Sequence, residues 1–343
     1  MRILQVAPPW FPVPPTGYGG IEWIVAALAD GLAEIGHDVT LLAAGGSRTK
    51  ATLEVVYAQP PSMHVGDPWY EAPHALAAYA HRNRYDLIHD HTGTIGPAIA
   101  ASVTDGPPVV HTLHGPWTSA NERLYRAICH RVHLIAISND QSSRAPDGIR
   151  IAGMVHNGVP LERYPYRSDK EDFLLYVGRS TADKGPEVAI DVARRVGLPL
   201  VMAIKVSEPL EIEYYETMIA PAMMSADVDL RTSVEHDEKV DLMGRARAVL
   251  VPIRWDEPFG LVMAEAMACG TPVVAYRRGA AGEIVVDGET GYLIEPGDLK
   301  AFVAATRNIA RIDPATCRAR VEQGFSADRM VASYAAVYQR LAT

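Results

Sequence analysis

Short apolar runs alternate with longer stretches of helical periodicity along the whole chain, and they do so in two successive series. Such runs are too short for helices and too uniformly apolar for half-exposed strands. They read as strands of parallel sheets buried on both faces. In the first series, residues 2–7 form a strand. Ile24, Val25, Leu28, Leu32 and Ile35 then share one face of a helix over 21–35, Gly36 stops it, and 38–44 return as a strand. This is a βαβ unit with a right-handed crossover. Runs at 87–89, 109–113 and 134–138 continue the pattern, and Asn157-Gly158-Val159-Pro160 closes a short strand at Val155. After the polar stretch 167–172, a second series places strands at 173–177, 200–204, 248–253 and 272–276. Its helices, 186–196 and 261–268, are stopped by Gly197 and Gly270. The length of 343 residues suits about two domains at ~150 residues each. The expected fold class is α/β: two doubly wound parallel-sheet domains, residues 1–165 and 166–326, facing across a cleft. A last helix carries Met330, Val331, Tyr334, Val337, Tyr338 and Leu341 on its apolar side, and by itself reads as a cap on the second domain.

The charge balance narrows the partners. A net charge of −9 disfavours nucleic acid and anionic membranes, which need surplus Lys and Arg. Three widely spaced cysteines, Cys129, Cys269 and Cys317, fit a reducing compartment better than a disulfide framework. No run of ~18 apolar residues predicts a membrane span, and the N-terminal run is too short for a signal peptide. The expected location is the cytoplasm.

Ligands of open parallel sheets sit at the carboxyl ends of strands, where four loops stand out. Gly17-Tyr18-Gly19-Gly20 leads into the first helix. It matches neither the dinucleotide fingerprint nor a Walker A loop, so an ordinary turn and a phosphate cradle are equally open. His114 follows the strand at 109–113 and could carry or donate a proton, or simply bond to backbone. A metal site built from His89, Asp90, His91, His111 and His114 is a poor reading, because His111 and His114 should face opposite sides of an extended segment. Arg179 and Lys184 flank a strand-to-helix turn; they could grip a diphosphate or be two solvated charges. The fourth loop, Trp255-Asp256-Glu257-Pro258-Phe259-Gly260-Leu261, opens a helix whose only carboxylate, Glu265, stands among Met263, Ala264, Ala266, Met267 and Ala268. Such a group is costly unless hydroxyls or amides partner it. Ribose hydroxyls would serve. The plainer reading is a helix N-terminal Glu plus one solvated Glu.

The E-x7-E from Glu257 to Glu265, within E-P-F-G-L-x-x-x-E-A-M-A-C-G-x-P-V-V, stands alongside Arg179-x4-Lys184, Gly19-Gly20 and His114. Together they resemble the retaining glycosyltransferases of family 4, with the GT-B fold, over essentially the whole chain. The resemblance implies that Arg179 and Lys184 bind the nucleotide diphosphate and Glu265 the ribose hydroxyls. Glu257 and the backbone of Phe259, Gly260 and Leu261 would meet donor sugar and phosphate. His114 would lie near the transferred sugar, and Gly19 and Gly20 would close over the phosphates. The C-terminal helix, about 327–343, would then cross back onto the first domain. Two departures stand out. Ala203-Ile204-Lys205-Val206 replaces the family's Gly-x-Gly, so Lys205 would add a cation to the donor site. Asp227-Val228-Asp229 spells a D-x-D but reads as surface before a strand at 230–234.

The expected function is retaining transfer of a sugar from a nucleoside diphosphate sugar, UDP-linked by preference, to a hydroxyl of a soluble acceptor such as an antibiotic oligosaccharide or other natural product. No cofactor and no essential metal are expected. The helix at 21–35 carries Glu22, Asp30 and Glu34 but no Lys or Arg, unlike a membrane-surface helix. Trp10, Phe11, Trp69, Tyr70 and Trp117 could offer the acceptor a stacking surface. Alternatives are a hydrolysing sugar-nucleotide epimerase, a transferase acting on a lipid or cell-envelope glycan, and a non-enzymatic sugar-binding protein.

Overall fold

A computed structural model describes residues 1–17, 19–232 and 234–342. Tyr18 of the glycine loop and Ser233 of the expected strand at 230–234 lie outside the described residues. The chain forms two compact units. The first comprises Met1–Gly158 and the C-terminal helix Ala327–Ala342; the second comprises Val159–Ser326. The first unit thus ends at Gly158 rather than 165. Val159 pairs with Ser326 and donates its N–H to the Phe325 carbonyl at 2.8 Å, while Tyr164 is buried against Glu265.

In the first unit, seven strands run parallel: β1 (Arg2–Val6), β2 (Asp38–Ala43), β3 (Thr52–Val55), β4 (Leu87–Asp90), β5 (Val109–Thr112), β6 (His133–Ala136) and β7 (Ile151–Met154), in the order β3-β2-β1-β4-β5-β6-β7. The second unit has six: β8 (Leu174–Arg179), β9 (Leu200–Lys205), β10 (Val228–Thr232), β11 (Ala248–Val251), β12 (Val273–Tyr276) and β13 (Gly291–Ile294), ordered β10-β9-β8-β11-β12-β13. Each sheet reverses direction beside its first strand, between β1 and β4 and between β8 and β11. These are the topological switch points at which open α/β sheets bind ligands.

The interior strands are the buried apolar runs of the sequence; β4 and β11 are buried throughout. The helix Gly20–Glu34 buries Ile24, Val25, Leu28 and Leu32, but Ile35 caps its end and is 57% exposed, off the face assigned to it. The D-x-D lies at the surface as expected, but the strand starts earlier than 230: β10 begins at Val228, so exposed Asp229 belongs to this edge strand and pairs with Arg231 at 2.8 Å. The helix Ala327–Ala342 packs on the first unit, with Met330, Val331, Tyr334, Val337 and Tyr338 buried. It is not a cap on the second sheet. Among the described residues no helix is long and apolar enough to cross a membrane.

Candidate active site

The second unit gathers most of the expected residues at the carboxyl ends of β8, β9 and β11. Arg179 ends β8 and lies in register with Lys205, the last residue of β9. Neither is a freely solvated charge. The Arg179 Nε donates to Glu211 Oε1 at 2.6 Å and its Nη2 to Glu208 Oε2 at 2.7 Å, while Lys205 Nζ donates to Glu208 Oε1 at 2.7 Å. Glu211 is buried and also accepts the N–H groups of Ser207 and Glu208, each at 3.0 Å. Burial alone would raise its pKa, but the Glu208 N–H and the Arg179 guanidinium outweigh it and hold the carboxyl below its ordinary value. Two cations and two acids therefore face each other, a cluster that an incoming anion could re-pair.

Lys184 sits with a different acid. Its Nζ donates to Glu257 Oε2 at 2.5 Å and lies 4.6 Å from the centre of the Trp255 ring, within cation–π range. The loop after β12 supports Glu257 from behind: Ala280 N–H donates to the Glu257 carbonyl at 2.9 Å. Gly279, at φ +53°, must be glycine, since a Cβ there would lie 2.3 Å from the Glu257 carbonyl oxygen and 2.4 Å from its nitrogen. Three residues beyond Glu257, Gly260 caps the helix Leu261–Ala268. The N–H groups of Gly260, Leu261 and Val262 carry no hydrogen bond among the described residues, as expected for the first turn of a helix. Phe259 is buried, edge-on to Phe325 at 5.8 Å. It anchors the loop.

Glu265, one turn further on, is only 3% exposed. Its partners come from outside the motif. Tyr164 Oη donates to Oε1 at 2.5 Å and Lys239 Nζ to the same oxygen at 2.7 Å. Oε2 carries no hydrogen bond among the described residues, so the carboxylate is held on one side and unclaimed on the other. Burial and the neighbouring carboxylate push the Tyr164 hydroxyl far above its ordinary pKa, and it stays a donor. Neither Tyr164 nor Lys239 was read from the sequence, for nothing local links them to Glu265.

The first unit holds the remaining residues. Gly19 has φ +153°, and a Cβ on it would lie 2.8 Å from both Glu22 Oε2 and Pro15 Cγ; Gly20 opens the helix Gly20–Glu34. Glu22, counted among the acids of that helix, is buried, and burial pushes its pKa up to about 7. With a folded pKa above the unfolded one, the folded state holds the extra proton between about pH 4.5 and 7. Stability from this group is therefore lost as pH rises through that window. Glu22→Gln should match the wild type near pH 5 and exceed it at pH 8 by up to about 3 kcal/mol, read from urea unfolding at the two pH values. An equal difference at both would contradict it.

His114 is half-buried just past β5. It shares a 2.9 Å hydrogen bond, Nε2 to Nδ1, with His91. Burial, followed by the charge of His111, lowers its pKa to about 3. His111 faces the other way, with Nδ1 on the Asp90 carbonyl at 3.1 Å and its ring beside Tyr125. Among the described residues no three His, Cys, Asp or Glu side chains converge as a metal-ligand set. The aromatic platform breaks up: Trp10 is buried, Trp117 donates to the Gln141 carbonyl at 2.8 Å and packs on Tyr125, and Trp69 is 84% exposed.

Two parallel-sheet units with acids and cations at a strand-order reversal are the layout expected of a GT-B transferase, and the comparisons supply the class. The family described as "Glycosyltransferase Family 4" matches residues 18–163, and "Glycosyl transferases group 1" matches residues 162–324. The chain belongs to glycosyltransferase family 4 and transfers a sugar from a nucleotide sugar. It is 27% identical to a glycogen synthase of Mycobacterium tuberculosis, over 93% of this chain and 88% of that one. It is 28% identical to a D-inositol 3-phosphate glycosyltransferase of an Arthrobacter species, over 87% and 83%. AviGT4, a glycosyltransferase involved in avilamycin A biosynthesis, superimposes with a TM-score of 0.75 at 27% identity, covering 100% of this chain and 98% of the other.

Proposed function

We propose that the protein moves a sugar, with retention of anomeric configuration, from a UDP-sugar to a hydroxyl of a soluble acceptor, and that it needs neither a cofactor nor a metal. The observation that carries this reading is the group at the β8/β11 reversal: Lys184 on Glu257, directly before three unclaimed N–H groups of a helix start. A leaving diphosphate needs such donors, because charge grows on it as the glycosidic bond breaks. Arg179, Lys184 and Lys205 take its oxygens, assisted by the N–H groups around Phe259, Gly260 and Leu261. Glu265 receives the ribose hydroxyls on its unclaimed oxygen, and Glu257 orients the sugar. In the first unit, Gly19 and Gly20 act on the phosphates and His114 on the sugar. With Glu265 assigned to ribose and Glu257 to orienting the sugar, no covalent double displacement is proposed. The acceptor attacks from the leaving-group side, and its proton passes to the departing phosphate. The similarity to AviGT4, a glycosyltransferase involved in avilamycin A biosynthesis, supports a natural-product acceptor.

A melting panel of UDP, GDP, ADP and dTDP selects the nucleotide; a ligand at 100 times its Kd stabilises by about 2.7 kcal/mol. NMR of the product made from the matching sugar donor should then show the donor's anomeric configuration. An inverted product would overturn the mechanism. A nucleotide-soaked crystal with its ligand far from Arg179, Lys184, Glu257 and Glu265 would overturn the site.

A further inference from the structure

Behind His114 the first unit contains a single file of buried hydrogen bonds. His114 Nε2 meets His91 Nδ1 at 2.9 Å, His91 Nε2 meets Gln5 Oε1 at 2.9 Å, and Gln5 Nε2 meets Tyr338 Oη at 3.1 Å. Tyr338 Oη meets His89 Nδ1 at 2.5 Å, His89 Nε2 meets Thr112 Oγ1 at 2.7 Å, and Thr112 Oγ1 meets Tyr334 Oη at 2.8 Å. Gln5, His89, His91, Thr112, Tyr334 and Tyr338 are all buried. Histidine and hydroxyl members of such a file can exchange donor and acceptor roles. The Gln5 amide cannot, because its oxygen only accepts and its nitrogen only donates.

The direction of the branch from Gln5 to His114 follows from that one amide. Gln5 Oε1 accepts, so His91 carries its proton on Nε2. A neutral His91 must then accept at Nδ1, so His114 donates from Nε2. On the other side, Tyr338 accepts from Gln5, and its second lone pair and its own proton leave both directions of the bond to His89 Nδ1 open. Neutrality is consistent throughout, since burial lowers the pKa of His89, His91 and His114 alike. His114 Nδ1 is left with its lone pair and has no hydrogen bond among the described residues.

We infer that Gln5 and His91 are positioning residues that lock His114 as the Nε2–H tautomer, so that its Nδ1 accepts a hydrogen bond from a hydroxyl of the donor sugar. The inference rests on the proposed placing of His114 at the sugar. Tyr338 and Tyr334 anchor the far end of the file from the C-terminal helix.

Long-range proton–nitrogen correlation spectra of the full chain labelled with 15N-histidine test it, with His114 assigned by the signals lost in His114→Asn. The wild type should show His114 protonated at Nε2 and bare at Nδ1. A dominant Nδ1–H form would overturn the inference. His91→Leu removes the acceptor and should shift the ratio of the two forms about tenfold, the scale of one hydrogen bond. His91→Asn keeps an acceptor oxygen near the Nδ1 position and should restore the wild-type form. An unchanged ratio in both variants would overturn the role of His91. Gln5→Met provides a second break should His91→Leu fail to fold. Finally, the Nδ1 resonance should move on adding the glucose conjugate of the nucleotide chosen by the melting panel, but not the bare nucleotide. If the tautomer is as expected but neither moves it, the placing of His114 at the sugar fails while the lock stands. The two failures are thus distinguishable.

Discussion

Arg179→Ala should reduce turnover roughly 10²–10³-fold at saturating donor, the scale of removing one preorganised donor from a developing oxyanion. The side chain ends a central strand and is aimed by two carboxylates, Glu211 at 2.6 Å and Glu208 at 2.7 Å. Its planar fork is thus pre-set, and Arg179→Lys should recover only part of the rate, because an ammonium restores charge but not the fork. The fold should survive, since Glu211 keeps the Ser207 and Glu208 N–H groups that close the helix start at Pro209. Lys184→Ala should be comparably severe for another reason: it strips the ammonium partner from the Glu257 carboxylate and opens the Trp255 face. Donor consumption measured beside melting temperature separates chemistry from folding. Near wild-type rates in either folded variant would remove that residue from the phosphate site.

Glu265→Ala should weaken binding of the preferred nucleotide by about 1–3 kcal/mol, the value of a charged hydrogen bond, and should also lower stability. The second effect follows from the partners left behind. Tyr164 is buried with its hydroxyl aimed at the missing oxygen, and Lys239 would face an apolar helix unless it turned to solvent. Breaking a buried ion pair from one side costs about 3–5 kcal/mol, and the partial exposure of Lys239 places this case at the lower end. Glu265→Gln separates the two effects. Its amide oxygen can still accept from Tyr164, so stability should fall less than affinity. Calorimetric titration with unchanged affinity in a folded Glu265→Ala protein would exclude Glu265 from the ribose.

How far the sequence could be read depended on where each strand lies. The interior strands of both sheets are buried and built on short apolar runs, some broken by a buried polar residue such as Gln5 or His89, and those runs place them. The four outer strands are where the reading slipped: β3 and β13 went unassigned, and β7 and β10 were displaced by a few residues. An outer strand has one neighbour, and Thr52–Val55 and Val228–Thr232 contain no buried residue and lack an apolar signature; β13 is mostly buried, but its run is only four residues long and opens on glycine. The site divided in the same way. Glu257, Gly260 and Glu265 are legible because loop, helix start and second turn are contiguous. Glu265 stood out as a carboxylate in an apolar helix, but its protein partners lie 101 and 26 residues away. Glu22 counted only as one acid of a helix without Lys or Arg, because spacing alone does not reveal that Pro15 and Gly19 lie close around it. Each of the clustered histidines of the first unit suggested a lone proton carrier or a metal ligand. Their real partners include two tyrosines from the end of the chain.

The helix Ala327–Ala342 gives the chain an order of assembly. During synthesis the first sheet emerges early, yet the side chains that cover Gln5, His89 and Thr112 are made only after all of Val159–Ser326. At roughly 5–20 residues per second, the nascent N-terminal lobe waits on the order of ten seconds with polar groups of its centre unsealed. Maturation of that lobe is therefore late, because every residue of the second lobe is made before the helix that completes the first.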